Sequence, residues 1–244
     1  MRFLASIVLK DQKVVQSFGY KNYLPLGNLA ATLQNLKRWE VEEIVIKNLD
    51  KTDDSLNNIC ALLKNSFITT PITYGGFIRS RSDMKKLLES GVDRFCFDNS
   101  VVDAQLNASL HEDLAVFTGR QSMVANLNIR LNNRNELQIY DYLSKSINGA
   151  LTNDFLKTLA LNFSEVIFND VQADGERRKF NVEIIRQLKK YYLTDGLSYL
   201  VSGGVGFDDT PEVYRDFDFI DGVVLGNSLY RHENSYKNWM SQNG

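Results

Sequence analysis

Thr73-Tyr-Gly-Gly76 and Phe97-Asp-Asn-Ser100 are echoed later in the chain by Val201-Ser-Gly-Gly204 and Leu225-Gly-Asn-Ser228. Gly75 precedes Asn99 by 24 residues, and Gly203 precedes Asn227 by the same 24. A motif pair repeated at fixed spacing marks one supersecondary unit used twice. Each motif closes a short apolar run: Thr70–Tyr74, Arg94–Phe97, Ser198–Val201 and Gly222–Leu225. Working outward, four further runs of the same kind are Phe3–Leu9, Glu43–Lys47, Ser122–Leu127 and Glu165–Phe168. They are continuous and rich in β-branched or aromatic residues, as strands covered on both faces are. Amphipathic helix candidates alternate with them: Leu26–Arg38, Ser55–Lys64, Ser80–Glu89, Ala104–Val116, Asn153–Leu161, Asn181–Tyr192 and Thr210–Tyr214. Ser80 and Asn181 are suited to cap the helices they precede. Eight such units predict a closed parallel (β/α)8 barrel built from two similar halves. The irregular stretch Ile129–Leu151 reads as a hairpin inserted after the fifth strand, over the C-terminal mouth. With three prolines and no linker-like segment, one domain over residues 1–244 is expected.

The 244 residues carry 28 Lys+Arg against 30 Asp+Glu, a formal net charge of −2. That balance, without a basic run, argues against a nucleic-acid or membrane-surface partner. A chain of this length buries roughly 70–75% of its unfolded surface, enough for a core without disulfides. Cys60 and Cys96 lie in apolar segments, which points to a reducing compartment. No apolar stretch reaches the roughly 18 residues of a membrane span, and Met1-Arg2-Phe3 runs directly into a strand. A soluble, cytoplasmic chain is expected. His111 and His232 have no neighbouring ligands, so no metal motif and no cofactor are expected, and both read as surface residues.

Gly-Gly directly after a barrel strand lets backbone N–H groups approach an anion, and the loops after strands seven and eight commonly hold phosphate. Gly75, Gly76, Gly203, Gly204, Gly226 and Asn227 are therefore phosphate candidates, against the plainer reading that glycine is ordinary turn material.

Leu9-Lys-Asp-Gln-Lys-Val-Val15, Tyr74-Gly-Gly-Phe-Ile78, Gln172-Ala-Asp-Gly175, Val201-Ser-Gly-Gly-Val205 and Gly226-Asn-Ser-Leu-Tyr230 together resemble the HisF family. This is the cyclase subunit of imidazole glycerol phosphate synthase, and the resemblance covers essentially the whole chain. It implies two phosphate sites at the mouth and a glutaminase partner docked on the bottom face. It also implies that ammonia travels through the barrel interior. The family's cyclase chemistry uses aspartates ending strands one and five, because ring closure needs proton transfers. Here Val8 and Asn128 stand at those positions, and Asn48 stands where the family has aspartate after strand two. Valine exchanges no proton, so the ordinary cyclase reaction is expected to be lost. Asn128, Asn48 and Asp174 remain as the mouth residues for any chemistry.

Phe77 replaces the family's third glycine after strand three, and Asp98 its asparagine after strand four, where an anion would repel phosphate. Gly175, Gly203, Gly204, Gly226 and Asn227 keep the pattern, so one phosphate group fits better than two. Arg2, Glu43, Arg94 and Glu165 match the family's ammonia gate at the N-terminal ends of alternate strands. Two arginines and two glutamates in a ring satisfy one another; the plainer alternative is solvated strand-end charge. Asp93 matches a partner-contact position.

One branch of the family has an aliphatic residue at the first aspartate and serves surface-polysaccharide pathways, where ammonia amidates or amidinates a sugar. Ile7-Val8-Leu9-Lys10, Asn22-Tyr-Leu24 and Tyr74-Gly-Gly76 look closer to that branch. The implied function is a barrel subunit passing ammonia from a glutaminase to a phosphorylated small-molecule or nucleotide-sugar acceptor. Two alternatives stay open: a genuine cyclase of histidine biosynthesis working through Asp174 or Asp98, and a non-catalytic scaffold for the glutaminase. Of the remaining residues, Cys60 and Cys96 read as buried apolar side chains, and Trp39 and Trp239 as packing at helix ends. Lys10 and Lys47 lie near strand ends, with Lys47 read as solvated. Glu176-Arg-Arg-Lys179 reads as a solvated loop with a secondary role in steering an anion.

Overall fold

The computed structural model describes residues 2–102, 107–175, 181–191, 196–205 and 217–231. Its strands are β1 (Arg2–Lys10), β2 (Lys13–Phe18), β3 (Asn22–Gly27), β4 (Glu43–Asn48), β5 (Ile72–Gly75), β6 (Arg94–Phe97), β7 (Met123–Leu131), β8 (Leu137–Asp141), β9 (Ser146–Ala150), β10 (Glu165–Asp170), β11 (Ser198–Ser202) and β12 (Gly222–Leu225). Eight of them, β1-β4-β5-β6-β7-β10-β11-β12, pair in parallel, and β12 returns to β1 to close a (β/α)8 barrel.

Helices between the strands are α1 (Leu29–Arg38), α2 (Asp53–Lys64), α3 (Arg81–Leu88), α4 (Asn99–Val102), α5 (Ala108–Thr118), α6 (Asn153–Asn162), α7 (Val182–Leu188) and α8 (Ser228–Arg231). Their starts follow local capping chemistry: Asn28, Thr52, Ser80, Thr152 and Asn181 each accept a backbone N–H of the first turn. Phe3, Ala5, Ile7 and Leu9 point outward into the main core, where they join the stripe Leu29, Leu33 and Leu36 of α1. Alternation then sends Arg2, Leu4, Ser6 and Val8 into the lumen.

The half-barrel repeat is visible at the barrel base. Asp93 takes the Ile72 N–H on its carboxylate at 2.8 Å and donates its own N–H to the Ile72 carbonyl at 2.9 Å. Asp221 does the same with Tyr199, at 2.8 Å in both directions. Each aspartate thus zips the start of its strand to the preceding one, and Asp93 has this structural task whatever else docks there.

Two features differ from the sequence reading, and a third extends it. Residues 13–27 form the antiparallel hairpin β2–β3 folding back on β1, in place of a plain loop before a helix at Leu26. Its two tight turns have both central residues left-handed: Asp11 and Gln12 (φ 49° and 58°), then Gly19 and Tyr20 (φ 60° and 55°). That is the type I′ geometry which matches strand twist. The Asp50 carboxylate stabilises the first turn by accepting the Asp11 and Gln12 N–H groups at 2.8 and 2.9 Å. Second, α5 (Ala108–Thr118) stands where the helix Ala104–Val116 is expected and runs two residues past Val116, while the short α4 (Asn99–Val102) directly after β6 lies before the expected helix. Third, β7 runs four residues beyond Leu127 and carries β8–β9 as an antiparallel extension, so the inserted hairpin is present as expected. The expected helix Thr210–Tyr214, the 176–179 run, His232 and Trp239 lie outside the described residues.

Candidate functional site

The lumen is built in three tiers. At the base, Arg2 pairs with Glu43 at 3.4 Å and with Glu165, while Arg94 reaches Glu165 at 2.5 Å and Glu43 at 3.6 Å. The four charges close a ring, and Thr73 donates its hydroxyl to Glu43 at 2.9 Å. Glu165 is 2% exposed and Glu43 9%, so these carboxylates are buried and mutually compensated, not solvated strand ends. They stand on the first, second, fourth and sixth strands of the barrel (β1, β4, β6 and β10), which corrects the expectation of alternate strands.

Above the ring lies an apolar annulus of Leu4, Val45, Cys96, Val124, Ile167, Leu200 and Val224, a core cluster separate from the one outside the barrel. Burial pushes the Cys96 thiol up to about 12. At pH 8 its thiolate fraction is then about one in ten thousand. A thiol reagent added to native protein is expected to leave Cys96 unmodified, and denaturant to expose both cysteines, which are free and buried. A fast-reacting Cys96 in the native chain would contradict the closed annulus.

The third tier is a chain of amides around one carboxylate. Lys47 donates from Nζ to Asn126 Oδ1 at 2.9 Å, and Asn126 Nδ2 donates to Asp98 Oδ2 at 3.1 Å. Asn128 Nδ2 donates to Asp98 Oδ1 at 2.9 Å, and Asn169 Nδ2 donates to Asn128 Oδ1 at 2.8 Å and to the Tyr20 hydroxyl at 3.3 Å. Burial raises the Asp98 carboxyl to about 6, against the opposing pull of Lys47 and of the two asparagine amides. Lys47 is 8% exposed, which corrects its reading as a solvated lysine. Its stem crosses from β4 to β7, three strands round the barrel, directly above Val45 of the annulus.

Two hairpins roof the mouth. Tyr20, in the β2–β3 turn, stacks on Tyr142, in the β8–β9 turn, with ring centroids 5.1 Å apart. Asn99 ties the second hairpin down by donating to Asp141 at 2.8 Å. Beneath the roof is a cavity of about 190 Å³ lined by Lys47, Gly75, Gly76, Cys96, Asp98, Asn126 and both tyrosines, among others. It opens on the first half of the barrel, although the sequence favours the second half for a phosphate. Phe77 borders this space without filling it: it adopts a left-handed φ of 56°, and its ring lies 3.8 Å beneath the Arg79 guanidinium.

The other expected site residues fall into place as follows. Asn128 sits in the amide chain and is fully buried. Asn48 borders the cavity, but its amide faces Ser55, Tyr74 and the Asp50 carbonyl at 3.0–3.3 Å, and its Oδ1 accepts the Asp50 N–H. It positions Asp50, which in turn positions the β1–β2 turn. Asp174 is likewise turned into the β2–β3 hairpin, where it accepts the Ser17 hydroxyl at 2.8 Å, and burial raises its pKa.

Gly76 and Gly203 are required by close packing: a Cβ would come within 2.1 Å of the Asn48 carbonyl oxygen and 2.4 Å of that of Asp170. The side-chain amide of Asn227 donates to the Ser17 carbonyl at 2.7 Å. Gly204 takes a left-handed φ of 71°, and Gly226 has open space beside it. Gly175, also left-handed, packs against the Ser17 carbonyl. His111 is 1% exposed, bonds Ser100 at 3.1 Å and packs edge-on to Phe97 and Phe163. That corrects its reading as a surface residue, and burial lowers its pKa to about 4, keeping the ring neutral. Lys10 lies over the Tyr23 ring at 5.1 Å.

No group of three metal-ligating side chains occurs among the described residues, and no helix there is long and apolar enough to cross a membrane. A barrel whose lumen runs from a compensated charge ring through an apolar annulus to a roofed polar mouth belongs to the ligand-handling (β/α)8 class, with its site at the C-terminal strand ends. The model of the histidine biosynthesis protein family matches residues 2–235, and the chain belongs to that family.

A Vibrio vulnificus protein named "Putative imidazole glycerol phosphate synthase subunit hisF2" is 25% identical over 218 residues, 87% of this chain and 77% of its own. Imidazole glycerol phosphate synthase subunit HisF of Sulfolobus acidocaldarius is 24% identical over 234 residues, 91% of each chain. The HisF subunit of Campylobacter lari is 24% identical over 232 residues, 92% of this chain and 86% of its own. This chain is a HisF-like barrel.

Proposed function

We propose that this chain is the barrel subunit of a glutamine-dependent complex, taking ammonia at its base and passing it through the lumen to a phosphate-bearing acceptor at the mouth. The observation that carries this reading is the closed ring of Arg2, Glu43, Arg94 and Glu165 beneath the apolar cluster of Leu4, Val45, Cys96, Val124, Ile167, Leu200 and Val224. A buried charge ring carries a desolvation cost that well-packed apolar residues would not, so its presence at the foot of an apolar lumen fits a passage or a partner site. The relatives are named as subunits, which supports a glutaminase docked on that base.

The mouth argues against the cyclase reaction: Val8 and Asn128 stand where two aspartates are needed, and Asn48 and Asp174 are engaged in holding the hairpin. A changed acceptor, of the kind found in surface-polysaccharide sugar biosynthesis, accounts for a retained base with an altered mouth. One observation favours the cyclase alternative: Asp98 lines the mouth cavity, and its carboxyl, raised to about 6 by desolvation, suits acid–base work.

The test is to supply purified chain with ammonium chloride and the histidine-pathway cyclase substrate. Turnover is expected to be at least about ten-thousand-fold below that of a family cyclase, the combined loss of two acid–base groups. In parallel, the glutaminase subunit from the same genome is expected to form a stable complex with this chain and hydrolyse glutamine faster in it. Cyclase turnover would return the chain to histidine biosynthesis, and a glutaminase stimulated without any acceptor binding would leave only the scaffold reading.

A further inference from the structure

The residues argued so far leave one reactive group at the mouth without a task. Lys47 carries a primary amine to the wall of the roofed cavity of about 190 Å³, spanning the lumen where the apolar annulus ends. Its partner across Asn126 is the Asp98 carboxyl, which lines the same cavity. The stacked Tyr20 and Tyr142 roof it. The cavity's other nucleophile, Cys96, is held protonated by burial. A buried amine beside a carboxyl group, under an aromatic roof, is the equipment of imine chemistry: the amine attacks a carbonyl and the acid carries protons to and from oxygen.

We propose that Lys47 is a catalytic residue that captures a small aldehyde or ketone in this cavity as an imine. The Asp98 carboxylate first takes a proton from the Lys47 ammonium; the freed nitrogen lone pair then adds to the carbonyl carbon, the π electrons move to oxygen, and a proton passes from nitrogen to that oxygen, giving the carbinolamine. The C–O bond then breaks as protonated Asp98 supplies the second proton, so water departs and an iminium remains between carbon and Lys47, opposite the Asp98 carboxylate. Ammonia leaving the annulus meets that carbon first. It adds, a proton passes from the new nitrogen to the Lys47 nitrogen, and the Lys47 amine departs. The product iminium returns its proton to Asp98. The net change is carbonyl plus ammonia to imine plus water, with no oxidant or reductant. The ammonia step rests on the channelling reading above; the capture step does not.

The test uses the full chain alone, without a glutaminase. Native protein is incubated with dihydroxyacetone and sodium cyanoborohydride, which fixes any imine as a secondary amine, and labelled peptides are mapped by mass spectrometry over time. Lys47 is expected to label about tenfold or more faster than the exposed Lys13 and Lys64, and to lose that advantage in urea. Lys47→Arg is expected to abolish the fast label while the melting temperature and the labelling of other lysines stay unchanged. Label appearing on exposed lysines or on rim Lys51, with Lys47 no faster than they are, would overturn the proposal. That result would leave the ammonia reading intact, just as failure to bind a glutaminase would leave a fast-labelling Lys47 intact.

Discussion

Replacing Glu165 with alanine is expected to destabilise the barrel by about 3 kcal/mol, the lower end of the range for breaking a buried charge network by removing one partner. Glu165 is 2% exposed and is shared by Arg2 and Arg94. Without it, Arg94 keeps only Glu43, at 3.6 Å, and its largely covered guanidinium loses most of its compensation. Arg2→Ala should cost far less, about 1 kcal/mol or under, because the Arg2 side chain is 44% exposed, so water can take its place, and both Glu43 and Glu165 keep Arg94. Urea unfolding midpoints of the two variants measure the contrast. Equal, small losses would mean that the ring behaves as solvated strand-end charge, and the argument for a functional base would go with it. A large asymmetry would mean that the barrel retains a buried charge pattern which apolar residues could replace more stably, which calls for a functional reason.

The barrel was legible because its strands are buried on both faces. Runs such as Glu43–Lys47 and Glu165–Phe168 stay apolar without alternation, and the spacing of Gly75-Asn99 and Gly203-Asn227 fixes the two halves. The β2–β3 hairpin escaped because its turns, Asp11-Gln12 and Gly19-Tyr20, lack the Asn-Gly or Asp-Gly signal usual for type I′ geometry. Tertiary contacts supply the missing preference: Asp50 for the first turn, Asp174 for the second.

The mouth was legible only in part. Strand parity was available in the sequence and places Lys47 on the same face as Glu43 and Val45, hence inside the lumen. A lysine near a strand end is usually solvated, and that general expectation outweighed the parity. Asp98 could be flagged as out of pattern, but its neutralisation across Asn126 by Lys47 links residues 51 apart in sequence, and no local signal carries that. The hydrogen-bond partners of Asn48 and Asp174 were hidden for a different reason. Each has a polar side chain at the right strand end, and each is engaged by a loop whose conformation the sequence did not reveal.

Asn128→Asp separates two accounts of the amide at the end of β7, a leftover of a lost aspartate or a residue that the mouth requires. In the wild type, Asn128 gives its N–H to Asp98 at 2.9 Å, so the tier holds one carboxylate opposite the single ammonium of Lys47. An aspartate at 128 sets two carboxyl groups at hydrogen-bond distance in a buried site, where they share one proton and the upper titration of the pair rises above the value of about 6 that Asp98 has alone. The folded variant then holds a proton that the unfolded chain, titrating near 4, has released. A group whose folded pKa is raised in this way contributes stability at low pH and loses it as pH rises between the unfolded and folded values, by about 1.4 kcal/mol per pH unit. The wild type already loses stability from about pH 4 to 6 through Asp98 and Asp170, both raised to about 6 by burial. The variant should match it most closely at pH 4–5 and fall about 2–3 kcal/mol behind it by pH 8. Urea midpoints at pH 5 and pH 8 give that difference directly. A deficit independent of pH would mean that residue 128 does not share a proton with Asp98. A deficit that opens with pH would mean that the asparagine is the form this mouth needs, since it keeps Asp98 a lone carboxylate balanced against Lys47.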